Sequence, residues 1–261
     1  MMRITSPANP KVKLVVQLQK QASERRKHQL FVTEGKRETN RAIAHGYKPR
    51  MLFVCEEIAG HFPHADIPEV YEVSKPVYEK MAYRPGTEGV LGVFDTFYRP
   101  LSSLELPANP LVIVLEGLEK PGNLGAIFRT ADGCGAHALI VCNPNTDMFN
   151  PNVLRSGLGC FFSVPWATCT SEACMQWLHE KSIRIFCARV EGSMSYTEVD
   201  FKGPAALVLG AEDVGLSHAW NGAHAQAVHI PMLGSADSLN VSVSAAVILY
   251  EALRQRNTIP A

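Results

Sequence analysis

A chain of 261 residues, 46% of them hydrophobic and 19% charged, has the apolar content of a soluble globular protein and length for one large or two ordinary domains. No apolar run approaches the roughly 18 residues of a membrane span, and the opening Met1-Met2-Arg3-Ile4-Thr5-Ser6-Pro7 lacks an apolar signal core, so no membrane partner and a cytoplasmic location are expected. The formal net charge is zero, yet residues 1–50 hold 12 basic against 3 acidic residues and the remainder 13 against 22, which suits phosphate contact by the first segment or, equally, a solvated helix face.

In chain order, residues 11–27 read as an amphipathic helix, with Val12, Val15, Val16 and Leu18 apolar and Lys11, Arg25, Arg26 and Lys27 basic. A strand at 30–34 follows, and Gly35 opens a helix through Ala44 that Gly46 closes. Strands at 51–55, 69–73 and 89–94, with a helix near 76–82, complete a small α/β unit. Lys11, Arg25, Arg26, Lys36, Arg37 and Arg41 are the candidate phosphate contacts of this unit; Lys36, Arg37 and Arg41, beside Glu34 and Glu38, equally suit a surface ion network.

Residues 98–110, with three prolines, read as a linker, which sets expected domains of 1–104 and 105–261. Beyond it come strands at 111–115, 139–142, 162–165, 183–188, 206–209 and 228–230, and helices at 124–132, from 151, at 172–181 and at 239–256. Alternating short apolar strands and helices predict a mostly parallel sheet covered by helices. No internal repeat or low-complexity segment occurs.

The seven cysteines (55, 134, 142, 160, 169, 174, 187) form no Cys-x-x-Cys pair and read as reduced, packed thiols. The nine histidines show no ligand spacing, so no metal is expected. Gly133-Cys134-Gly135-Ala136-His137-Ala138, the nearest approach to a dinucleotide fingerprint, follows a helix and precedes a strand, the wrong order for cradling pyrophosphate.

Three loops that follow apolar strands share a different character. They are Pro121-Gly122-Asn123-Leu124-Gly125 leading to Arg129, Gly210-Ala211-Glu212 through Gly215, and Ile230-Pro231-Met232-Leu233-Gly234 leading to Ser238-Leu239-Asn240. In an open parallel sheet such loops leave at the carboxyl edge, where ligands bind. Glycine lets backbone groups approach a ligand closely, and Asn, Arg, Glu and Ser supply directional heads.

The order and content of these loops resemble the three motifs of the SpoU/TrmH family of RNA ribose methyltransferases, members of the SPOUT class. The resemblance covers about the last 150 residues; Ala211 departs from it, where the family usually has a polar residue before the Glu. It implies a SPOUT-type α/β fold with a knotted, mostly parallel sheet, a smaller amino-terminal α/β RNA-binding domain, homodimers and S-adenosyl-L-methionine as donor. It also implies methyl transfer to a ribose 2′-hydroxyl of structured tRNA or rRNA. On this reading Asn123, Arg129, Glu212, Ser238 and Asn240 are catalytic, and Leu209, Gly210, Gly215, Ile230, Met232 and Leu239 hold the donor. Guanidinium keeps its proton, so Arg129 suits phosphate binding and alkoxide stabilisation better than a literal base role. Plainer roles stay open: a helix cap for Asn123 or Ser238, an ion pair with Asp132 for Arg129, a solvated acid for Glu212, and core packing for Ile230, Met232 and Leu239. A non-catalytic RNA-binding or ribosome-assembly protein and an RNA base methyltransferase of the same class are the alternative functions.

Overall fold

The computed structural model describes residues 2–63, 67–86, 88–189, 194–222 and 224–257. Two compact units divide the chain: Met1–Phe97 with Asp147–Ser163, and Tyr98–Thr146 with Val164–Ala261.

The first unit begins with β1 (Met2–Ile4) and α1 (Pro10–Lys20). Asn9 caps α1 by accepting the Lys11 N–H, Pro10 presets the first turn, and Val12, Val15 and Leu18 are buried. The single helix expected over 11–27 is two, because Gln21 is extended at φ −126 and ψ 119 before α2 (Ala22–His28) starts. There follow β2 (Leu30–Glu34), α3 (Lys36–Ala44), β3 (Pro49–Val54), α4 (Glu56–Ala59), β4 (Glu69–Val73), α5 (Lys75–Met81) and β5 (Val90–Asp95). Gly35 precedes α3 at φ 109, a conformation that L side chains rarely adopt. The sheet order is β1-β4-β3-β5-β2, with the β2–β5 and β3–β5 pairs antiparallel and the others parallel.

The second unit starts with β6 (Leu111–Glu116), α6 (Pro121–Gly133) and β7 (Ala138–Cys142). After β7 the chain returns to the first unit through α7 (Pro151–Ser156) and α8 (Cys160–Ser163). The strand expected at 162–165 is therefore wrong: Phe162 belongs to a short helix, and the strand is β8 (Trp166–Cys169). The apolar run at Phe161 and Phe162 serves an aromatic cluster instead, in which Phe31 stacks on Phe149 at 4.6 Å and on Phe162 at 5.9 Å. Arg25 ties the same return to the unit, its Nε and Nη2 each 2.6 Å from Asp147, with side chains only 4% and 10% exposed.

The remaining elements are α9 (Ser171–Glu180), β9 (Arg184–Ala188), β10 (Met194–Ser195), β11 (Ala205–Leu209), β12 (Ala225–His229) and α10 (Val241–Asn257). Their sheet has the order β10-β12-β9-β11-β6-β7-β8, and every pairing is parallel. β6, β7 and β11 are buried along their whole length, as continuous Val/Ile/Leu runs require. α10 buries Ala245, Ile248, Leu249 and Ala252; each large aliphatic side chain so buried contributes about 1.5–3 kcal/mol. Its last turn is held by Arg256, which donates to the carbonyls of Asn109, Pro110, Phe201 and Gly203. α6 and α10 pack side by side and run the same way: Asn240 meets Asn123 at their starts, and a Cβ added at Gly133 would lie 3.0 Å from the Tyr250 hydroxyl near their far ends. Among the described residues, no helix is long and apolar enough to cross a membrane.

Candidate active site

Since β6, β11 and β12 are parallel members of one sheet, the three motif loops all leave at its carboxyl edge. There the loops are joined in series. Asn123 in α6 donates its side-chain amide to the Glu212 carboxylate, while its Oδ1 accepts from Asn240 Nδ2 at 3.3 Å. One residue from each motif thus forms a continuous polar chain, Glu212 to Asn123 to Asn240.

The helix starts assign these residues more sharply than sequence does. α6 begins at Pro121, so Asn123 lies inside the first turn and is not the cap. Asn240 is the capping side chain of α10: its Oδ1 accepts the Ser242 N–H at 2.9 Å and the Ser242 hydroxyl at 2.6 Å. Ser238 lies in the exposed stretch before it.

The second motif folds into a closed loop. Gly215, at φ 66, donates its N–H to the Ala211 carbonyl at 3.0 Å. A Cβ added at Gly210 would stand 2.2 Å from the Gly215 carbonyl carbon, so that crossing admits only glycine. Leu209 ends β11 and is buried, whereas Ile230, Met232 and Leu239 are half-buried along the segment between β12 and α10.

Glu116, which sequence reading passed over, ties the second motif to β6. Its carboxylate, only 5% exposed, accepts the Ser217 N–H at 2.7 Å, the Ser217 hydroxyl at 2.8 Å and the Ser171 hydroxyl. Burial alone would raise this carboxyl; the hydrogen bonds outweigh that and hold it below the usual carboxylate range. The available signal was an acid ending an otherwise apolar strand immediately before Gly117.

Arg129 stands apart from the polar chain. Six residues beyond Asn123 on α6 it is about 9 Å further along the axis, exposed, and without a hydrogen bond to Asn123, Glu212, Ser238 or Asn240.

The six basic candidates of the first unit divide unequally. Arg25 is 3% exposed and, besides Asp147, donates to the Leu18 carbonyl at 2.5 Å, so its guanidinium is a core tie and not a surface contact. Arg41 donates to the Leu158 carbonyl, Lys36 to the Ala59 carbonyl at 2.7 Å, and Lys11 pairs with Glu69. Arg26 and Arg37 are exposed, Arg37 with Glu38 2.9 Å away. A cavity of about 380 Å³ within this unit is lined by Arg37, Glu34, Tyr83, Arg84 and Arg155 among others.

Residues 110–250 match the family model described as the SpoU rRNA Methylase family, and residues 9–92 match one described as an MRM3-like substrate binding domain. The 23S rRNA (guanosine-2'-O-)-methyltransferase RlmB of Ralstonia nicotianae is 40% identical over 162 residues; the match covers 62% of this chain and 64% of RlmB, less than two thirds of that relative's length. A crystal structure of an RNA 2'-O ribose methyltransferase is 36% identical with a TM-score of 0.85, covering 98% of this chain and 100% of that one. The AdoMet-bound rRNA methyltransferase of Sinorhizobium meliloti is 28% identical with a TM-score of 0.88, covering 99% of this chain and 98% of its own.

Proposed function

The chain belongs to the SpoU rRNA methylase family, and on that premise we propose that it transfers a methyl group from S-adenosyl-L-methionine to a ribose 2′-hydroxyl of ribosomal RNA in the cytoplasm. The carrying observation is the polar chain from Glu212 through Asn123 to Asn240, which links the three motif loops at one sheet edge.

S-adenosyl-L-methionine, when bound, supplies an electrophilic methyl group on a sulfonium. The protein's work is to hold the acceptor oxygen in line with that carbon and to manage one proton. Leu209, Ile230, Met232 and Leu239 form apolar walls for the adenine, and the tight turn at Gly210 and Gly215 brings backbone amides and carbonyls to its edge. Asn123 and Asn240, their amides fixed by mutual hydrogen bonding, orient the acceptor ribose. Arg129 binds the neighbouring phosphate and stabilises charge developing on the 2′-oxygen. The carboxyl-terminal segment threads the family's trefoil knot around these loops. A second copy covers the α6–α10 face, where Val243 is 46% and Tyr250 51% exposed, and the dimer brings Arg129 to the reacting edge. Residues 1–104 engage the RNA, with 105–261 as the methyltransferase domain, and the exposed Arg26 and Arg37 are the cations that meet phosphate.

The test is incubation of purified protein with labelled S-adenosyl-L-methionine and total RNA from a strain lacking it, followed by mapping of the label. The expected product is a single ribose 2′-O-methyl in ribosomal RNA. Label on a base atom overturns the ribose assignment, and failure to bind the donor overturns the enzymatic reading altogether.

A further inference from the structure

Three of the seven cysteines, none in a recognisable ligand motif, come together in the second unit. Cys142 ends β7 and Cys169 ends β8, and the register pairs them directly across the two parallel strands. Their side chains therefore leave the same face of the sheet. Cys174, in the first turns of α9, packs in the same core cluster as Cys142, with Trp177 and Leu178. The three Sγ atoms lie within 4.8 Å of one another, and among the described residues this is the cluster of three or more His, Cys, Asp or Glu side chains arranged to hold a metal ion.

The apolar core around these sulfurs has one polar side, at the start of α9. Thr170 caps α9 by accepting the Ala173 N–H at 3.2 Å, so Cys169 and Cys174 flank the positive end of a ten-residue helix. Buried Ser171 adds a polar boundary, accepting from Asn143 Nδ2 at 3.0 Å and donating to Glu116. Cys142 and Cys174 are fully buried, whereas Cys169 is half-buried and leaves a route for an ion. A metal ion bound at about 2.3 Å by three thiolates sets the sulfurs roughly 4 Å apart, a rotamer-scale adjustment from the spacing found.

We propose that Cys142, Cys169 and Cys174 form a three-thiolate site for a thiophilic divalent d10 cation, Zn²⁺ in the cell, at the β7–β8 edge. Soft thiolates select such ions over Mg²⁺ or Ca²⁺. Binding replaces three S–H bonds by three metal–sulfur bonds and releases three protons to solvent; no electron is transferred. The net charge of the filled site is −1, which the α9 terminus favours, and water completes the coordination past Cys169. The ion clamps β8 and α9 to β7 and takes no part in methyl transfer, so the proposal stands independently of the activity assigned above.

The experiment titrates reduced, chelator-treated full-length protein with Cd²⁺, following sulfur-to-metal charge-transfer absorbance, and then competes the bound ion with Zn²⁺. One equivalent per chain is expected to saturate the band, and Zn²⁺ to remove it. Cys169→Ser, at the half-buried position, is expected to weaken binding by at least about tenfold while keeping the wild-type far-ultraviolet circular dichroism. Cys134→Ser, a buried thiol outside the cluster, is expected to bind like wild type. The absence of a saturable band in the wild-type protein, which involves no variant, overturns the proposal. So does unchanged affinity in Cys169→Ser.

Discussion

In the first unit, four of the twelve cations of the first 50 residues are committed to the fold and the other eight are exposed: Arg25 is buried on Asp147, Arg41 reaches the Leu158 carbonyl, Lys36 the Ala59 carbonyl, and Lys11 Glu69. At the carboxyl edge of the second unit the polar residues are arranged differently. Asn123 joins Glu212 and Asn240 in one polar chain across three loops, while Ser238 is exposed just before Asn240 and Arg129 is exposed further along α6. A run of charge in a sequence therefore does not say which charges face a ligand, because stitching an irregular unit together uses the same side chains as binding a polyanion. Parallel strand topology, by contrast, fixes where loop residues go before any tertiary detail is known.

Arg25 is the cation most deeply committed to the fold. Replacing it with Met leaves Asp147 buried without its partner, and unfolding stability is expected to fall by about 3–5 kcal/mol, read from the urea midpoint. RNA affinity of the folded protein should stay unchanged. A variant of normal stability and impaired RNA binding would return Arg25 to the surface contacts. At the other pole, Arg129→Ala is expected to lower kcat by about 100- to 1,000-fold, with donor affinity by calorimetry nearly intact. Loss of donor binding would instead place Arg129 on the cofactor side. The smallest effect sharpens the contrast within the first unit. Arg26→Ala and Arg37→Ala should each weaken RNA binding uniformly across sequences and lower the logarithmic salt slope by about 1, whereas Lys36→Ala, whose ammonium is held by a carbonyl, should leave that slope unchanged.

Much of the architecture was legible because local pattern and final environment agree. The strands at 30–34 and 69–73 match β2 and β4 to the residue, and the Val/Ile/Leu runs at 111–115 and 206–209 occupy the buried middle of the parallel sheet. The motif loops were legible for the same reason. What escaped depends on partners far away in the chain. The apolar Phe161-Phe162 pair reads as a strand until the ring of Phe31 is known to stand against it. Asn123 reads as a cap until α6 is found to start at Pro121, and Glu116 has no meaning before Ser217 approaches it. Cys142 and Cys169 look unrelated until strand register sets them side by side.

The return of Asp147–Ser163 to the first unit has a consequence for biosynthesis. Arg25 leaves the ribosome 122 positions ahead of the carboxylate it needs, on the order of ten seconds at ordinary translation rates. Throughout that interval the Arg25 guanidinium has only the Leu18 and Gln19 carbonyls to donate to, and the Phe31 ring has Tyr47 and Phe94 but not yet Phe149 and Phe162. A fragment truncated after Phe97 would lack Asp147, Phe149 and Phe162, which pack into the interior of this unit.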